Sequence, residues 1–215
     1  MQREILNMNE ELIQKKLNTH DVLVGIDEVG RGPIAGPVSV CSFAVRREHY
    51  STVQEALKEI TDSKKISEKK REAFVGIIKE LKNKNKIAVS VSSVSAKDID
   101  SRGIVPALKA ATKQSLESVT STMEGNTYVY LDGSLFAPTE FDQETIVKGD
   151  LNNWLISAAS VVAKVARDSL MVKYSEQYPK YFFEKHKGYG TKKHYEAIGE
   201  HGLTDIHRKT WIRLK

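Results

Sequence analysis

Two short apolar runs set close together limit most strongly what this chain can fold into. Val22 to Ile26 is rich in Val and Ile and short, the pattern of a buried strand. Val38 to Val45 has the same character and lies near enough to pair with it as a hairpin. The stretch between opens with Asp27-Glu28-Val29-Gly30-Arg31-Gly32-Pro33, which must turn.

Later segments alternate in type. Lys86 to Val94 alternates as a third strand, Thr127 to Asp132 is a fourth, and Glu144 to Val147 a short fifth. Between them, Ser67 is placed to cap a helix whose Phe74, Ile77, Ile78 and Leu81 share one face. Lys70 stands where a capping-box Glu is ideal, so that cap is imperfect. Further helices are expected over Val105 to Val119, Asn153 to Tyr174 and Lys192 to Glu200. The small residues Ser157, Ala158, Ala159, Ser160 and Ala163 let something pack very close to the longest of these. Hairpin first, then strands alternating with helices, predicts an α/β fold with a mixed central sheet flanked by helices and a helical C-terminal portion.

The 215 residues suit one domain with a small appendage: a polar lead-in over 1–20, then one unit over 21–215 that turns basic and helical from about 175. The formal net charge is +5. From Tyr181 to Lys215 there are eight Lys or Arg against four Asp or Glu, together with His186, His194, His201 and His207. That segment is either a solvated face or a surface for a phosphate backbone. Cys41, alone in an apolar run, excludes an intrachain disulfide. The charged N-terminus is no signal peptide and no apolar run reaches membrane-spanning length, so a cytoplasmic protein is expected.

The chemistry lies in acids at element ends. Asp27 and Glu28 close the first strand, Asp132 closes the fourth, and Asp150 precedes the long helix. Adjacent strand residues point to opposite faces, so Asp27 and Glu28 share a site only if the strand breaks there. Converging carboxylates repel, and a hard divalent cation, magnesium or manganese, is what neutralises such a set. Each acid also has a structural reading: Asp132 as a turn residue, Asp150 as a helix cap, Asp27-Glu28 as a solvated strand end. Gly30-Arg31-Gly32 is either a flexible turn or a place where exposed amides meet a hydroxyl or phosphate. Lys185 to His194 interleaves bases with Tyr189, fit for phosphates and stacking or for a plain solvated loop.

In order along the chain, Gly25-Ile26-Asp27-Glu28-Val29-Gly30-Arg31-Gly32-Pro33, Ala35-Gly36-Pro37-Val38, Asp62-Ser63-Lys64-Lys65-Ile66-Ser67, Leu131-Asp132-Gly133, Lys148-Gly149-Asp150, the helix Ser157 to Asp168, His186 to Thr191 and His207-Arg208 resemble ribonuclease HII, of the type 2 ribonuclease H family. The resemblance spans about Val22 to Trp211. It implies a ribonuclease H-like fold, with Asp27, Glu28, Asp132 and Asp150 as metal-ligating catalytic carboxylates for Mn2+ or Mg2+. It implies that the backbone of Gly30, Arg31 and Gly32 senses the ribose 2′-hydroxyl, and that Tyr189 packs on the adjoining deoxyribose at an RNA-to-DNA junction. The implied substrates are RNA/DNA hybrids and duplex DNA with an embedded ribonucleotide, cut to 3′-hydroxyl and 5′-phosphate ends by a monomer. Lys64, Lys65, Lys148, Lys164 and Arg167 are candidate phosphate contacts, and Lys164 is equally placed to pair with Asp168.

Four features depart from the family or separate it from a relative. Gly103 stands where Asn is usual, and Lys209-Thr210-Trp211 replaces the usual Ser-Phe continuation. Asp150, with a lead-in too short for an extra N-terminal domain, favours ribonuclease HII over ribonuclease HIII, whose fourth acid is Glu. The alternatives are a ribonuclease HIII-like hybrid nuclease without junction preference and a non-catalytic hybrid-binding protein. The second of these predicts a lost carboxylate, and all four are present.

Overall fold

The computed structural model describes residue 11 and residues 13–213. Five strands form one sheet: β1 (Val22–Val29), β2 (Val38–Arg46), β3 (Ile87–Val94), β4 (Thr127–Asp132) and β5 (Asp142–Ile146). Their order is β3-β2-β1-β4-β5, with β1-β2 and β2-β3 antiparallel and β1-β4 and β4-β5 parallel. The sheet is mixed because the hairpin starts it and each later strand is reached through a crossover. β1 is central and covered on both faces, which is why its sequence is a continuous apolar run.

One face is covered by α1 (Tyr50–Ala56), α2 (Glu68–Asn83) and α6 (Trp154–Gln177), and the other by α3 (Ala96–Arg102) and α4 (Ile104–Thr120). A short α5 (Gly149–Asn152) leads into α6. Alternation along β1 sends Leu23 into the first core, and Val22, Val24 and Ile26 into the second. Asn153 caps α6 by accepting from the amides of Leu155 and Ile156. At Gly25 the helix backbone lies directly on the strand: an added Cβ would fall 2.2 Å from the Leu155 carbonyl carbon. The expected close packing of α6 is thus completed by a glycine in the strand.

A third apolar cluster joins the loop after β1 to the C-terminal portion. It brings Ile34 and Ala35 against Met171, Tyr181, Phe183, Ala197 and Ile198, the latter pair from α8 (Lys192–His201); α7 (Phe183–His186) is a single turn between. Of the lead-in expected over 1–20, residues 1–10 and 12 lie outside the described residues. Residues 13–17 are helical, and Ile13 and Leu17 are buried in the first core.

Two segments differ from expectation. Tyr50–Ala56 forms α1, which the sequence pattern did not announce. Ala96–Arg102 likewise forms α3 without a helical signal in the sequence, and Gly103 joins it to α4 with φ 87° and ψ 164°. That conformation belongs essentially to glycine, which accounts for Gly103 at this joint. Trp211, in place of the usual Ser-Phe continuation, lies 4.8 Å from the Arg208 guanidinium and packs on the second core.

Candidate active site

β1 does not break at Asp27. It stays paired with β2 as far as Val29↔Ser39, whereas its ladder with β4 ends at Ile26↔Leu131. The strand is released on one side only. The next positions in register on that side are Asp27 and Asp132, both on the α6 face of the sheet. Glu28 points to the other face, but its longer side chain reaches back around the sheet end. The three carboxylates offer oxygens that all lie within 4.8 Å of one another. Asp132 is also tied down, its Oδ1 accepting from the Gly149 amide at 2.6 Å, and Asp27 Oδ1 accepts from the Glu28 amide at 2.8 Å.

Such a group is electrostatically costly as it stands. Asp27 is only 7% exposed, and burial, reinforced by Glu28 and Asp132, pushes its carboxyl up to about 8 against a hydrogen bond from Ser160. Glu28 is also raised by burial, with Arg31 opposing and Asp132 adding. The Arg31 guanidinium is 3.5 Å from Glu28 and 2.8 Å from the Ser134 hydroxyl. A buried carboxyl beside two others, with only oxygen donors, is the donor set of a hard divalent cation.

Asp150 stands beside this cluster rather than in it. Its carboxyl is raised by burial and by Asp132 and Asp62, and lowered by Lys64, which places all three near it. It does not cap α6, a task that Asn153 performs; its carbonyl instead accepts from the Ser157 hydroxyl at 2.8 Å. The Asp62 to Lys65 loop is also drawn in, with the Ser63 hydroxyl 2.9 Å from that of Ser160. Ser63, Ser160 and Asp27 therefore form a polar chain, a link that small-residue spacing alone did not reveal. Lys64, Lys65 and Lys148 are exposed around the site. Lys164 instead pairs with Asp168 at 3.0 Å.

Beyond the acids, Gly30 turns the chain at φ 84°, and an added Cβ there would fall 2.2 Å from Arg167 Nε. Arg31 and Gly32 are exposed, and the Tyr189 ring, 48% exposed, lies against Gly32. Arg167 is no surface phosphate contact: it is 1% exposed and donates to the carbonyls of Pro37, Ala35 and Lys187. Nor do His194 and His207 contribute to a charged surface. His194 and His207 are buried, their Nε2 atoms 3.1 Å apart, and burial pushes both down to about 4. The Thr204 amide donates to His207 Nδ1, so His207 carries its proton on Nε2 and gives it to His194. His194 in turn donates from Nδ1 to the Tyr189 carbonyl at 2.9 Å. The neutral pair thus holds the Tyr189 backbone.

A five-stranded mixed sheet with acids gathered where its central parallel strands end, next to a glycine loop and surrounded by lysines, defines a hydrolase of the ribonuclease H fold. The sequence profile described as Ribonuclease HII matches residues 24–214. A Ribonuclease HII of Bacillus thuringiensis (strain Al Hakam) is 42% identical over 193 residues, 90% of this chain and 70% of that one. In structure the chain is similar to ribonuclease H2 of Pyrococcus horikoshii OT3, with TM-score 0.69 at 22% identity over 88% of this chain and 93% of that one. It is also similar to Bst-RNase HIII in complex with Mn2+, with TM-score 0.65 at 15% identity over 87% of this chain and 66% of that one. The chain belongs to the ribonuclease HII family, and is accordingly a ribonuclease H acting on RNA paired with DNA.

Proposed function

We propose that this enzyme cuts the RNA strand of RNA/DNA hybrids and cuts 5′ of single ribonucleotides embedded in duplex DNA, leaving 3′-hydroxyl and 5′-phosphate ends. The observation that carries this reading is the convergence of Asp27, Glu28 and Asp132 beside a glycine loop on which Tyr189 rests. Asp27, Glu28 and Asp132, with Asp150 adjoining, would hold divalent ions, Mn2+ or Mg2+. Such ions supply an activated water and charge stabilisation at the leaving oxygen. The Mn2+ in the structurally similar Bst-RNase HIII is in keeping with that choice.

The protein's own groups do the rest. Asp132 is aimed by the Gly149 amide and Asp27 by the Ser160 hydroxyl, so the carboxylates are positioned before substrate arrives. Lys64, Lys65 and Lys148 meet phosphates as exposed cations. The backbone of Gly30-Arg31-Gly32 meets the 2′-hydroxyl, which tells RNA from DNA. Tyr189 stacks on the neighbouring deoxyribose and sets the junction preference. The polar lead-in and the basic C-terminal portion serve this one catalytic unit, which acts as a monomer in the cytoplasm. Among the described residues no helix is long and apolar enough to cross a membrane.

The test is a DNA duplex with one embedded ribonucleotide, incubated with Mn2+ or Mg2+ beside an all-DNA duplex and an uninterrupted hybrid. Cutting 5′ of the lone ribonucleotide, abolished by chelator, is the expected result. Cutting of the long hybrid alone would replace this reading with a ribonuclease HIII-like one, and binding without cutting would leave a hybrid-binding protein.

A further inference from the structure

Arg208 has no role in the reading above, and it is fully buried. Its guanidinium donates to three carbonyls: Nε to Gly36 at 3.1 Å, Nη1 to Arg31 at 3.0 Å and Nη2 to Gly30. Arg167, also buried, collects the carbonyls of Ala35, Pro37 and Lys187. Neither forms an ion pair among the described residues. Burying a cation without a carboxylate is costly, and packing alone is served as well by an apolar side chain. The guanidinium, however, presents its donors from three separate nitrogens in a rigid planar fork, which suits it to three carbonyls spread around it, whereas the three donors of a lysine share one nitrogen.

This arrangement has a directional consequence. The chain has no cis peptide among the described residues, and in a trans peptide the C=O and the following N–H point in opposite directions. The Gly30 and Arg31 carbonyls are drawn inward onto Arg208, so the Arg31 and Gly32 amides point outward. Neither amide has a protein acceptor among the described residues, whereas the amides of Ile34, Ala35 and Gly36 just beyond are all paired. The two outward amides lie in an exposed loop beside Tyr189. Arg167 then links this loop to Lys187, and the Ile34 and Ala35 amides donate to the Gly188 carbonyl, so that the Tyr189 loop moves with it.

We infer that Arg208 is a positioning residue for ribose discrimination: it turns the Arg31 and Gly32 amides toward the substrate, and with Arg167 joins the ribose-sensing and junction-sensing loops into one rigid unit. This rests on the reading that the Gly30-Arg31-Gly32 backbone meets the 2′-hydroxyl. Lysine at this position keeps the charge but cannot span three carbonyls.

The experiment compares the full-length parent with Arg208→Lys and Arg167→Lys. It measures kcat and KM on a duplex with one embedded ribonucleotide and on an uninterrupted hybrid, inhibition of the first reaction by the all-DNA duplex, and melting temperature. For Arg208→Lys at a temperature where it stays folded, kcat/KM should fall about 100-fold, the scale of a catalytic group misplaced by an ångström. Inhibition by all-DNA duplex should stay within about twofold, because exposed lysines supply that affinity. Arg167→Lys should show a smaller fall with weakened junction preference. Lower melting temperature with unchanged preference for the ribonucleotide would make the arginines purely structural and overturn the inference. A parent that does not prefer the ribonucleotide would overturn the reading it rests on, and the inference with it. Backbone 15N relaxation on the parent needs no variant: order parameters for Arg31 and Gly32 near about 0.85 are expected, and values under about 0.6 would overturn the clamp.

Discussion

Asp132 uses one carboxylate for two purposes, and they can be separated. Its Oδ1 accepts from the Gly149 amide, while its charge faces Asp27 and Glu28. Asp132→Asn keeps an acceptor at Oδ1 and removes the charge. Cleavage should fall by at least about 100-fold, the usual cost of losing a charge-stabilising group, while hybrid binding persists. Metal-free protein should become more stable, on the order of 1 kcal/mol, because like charges no longer meet. Activity assays and thermal melts in chelator check both, and full activity would remove Asp132 from the site. Tyr189 is separable in the same way, since its backbone is held by His194 while its ring lies free against Gly32. Tyr189→Ala should therefore leave the loop in place and cut junction preference about tenfold, within the usual worth of one stacking contact. Metal affinity by titration should not move. Equal junction and hybrid cutting ratios in variant and parent would exclude the stacking role.

At the scale of elements, the seating of α6 on β1 decides whether the site exists. α6 delivers Ser160 to Asp27 and Ser157 to the Asp150 carbonyl, and it reaches the strand only because Gly25 has no side chain. Gly25→Ala puts a Cβ into the Leu155 backbone and should cost on the order of 3 kcal/mol, with loss of activity exceeding the loss of fold. Urea unfolding and activity at a permissive temperature test this; a change below about 0.5 kcal/mol would mean that the helix shifts freely. The periodicities of strands and helices made these elements legible in advance, because apolar alternation is local. The hairpin, the fourth strand and α6 needed nothing else. The acids were legible as ends of strands, yet the way Asp27 and Glu28 meet was not. That depends on β4 stopping at Asp132 while β2 continues, a fact of pairing between distant segments. Arg208, Arg167 and the buried histidines were illegible for a related reason. A polar residue in a basic segment carries no local sign that backbone carbonyls elsewhere will bury it.

For the whole molecule, the C-terminal portion is tied together internally by contacts that require neutral histidines. His194 and His207 titrate near 6.5 in an unfolded chain and are pushed down to about 4 by burial in the fold. Between those values the unfolded chain binds protons that the folded one does not, so stability must fall as pH drops from about 6.5 to about 4. His186, stacked on His194 at 4.3 Å and itself lowered by burial, works in the same sense. Protonating the pair also breaks it, because His194 Nε2 can no longer accept from His207. The shift corresponds to about 3 kcal/mol for one buried imidazole. Asp27 works in the opposite sense, taking up a proton in the fold below about 8 that the unfolded chain does not hold, so the parent's pH curve alone mixes the two. His207→Gln separates them. Its amide can still donate toward His194, it does not titrate, and Asp27 is untouched. Urea unfolding of both proteins in chelator at several pH values from 7.5 to 4.5 should show a shallower loss of stability for the variant. Parallel stability curves for parent and variant would remove the histidines as the acid-sensitive element of the C-terminal portion.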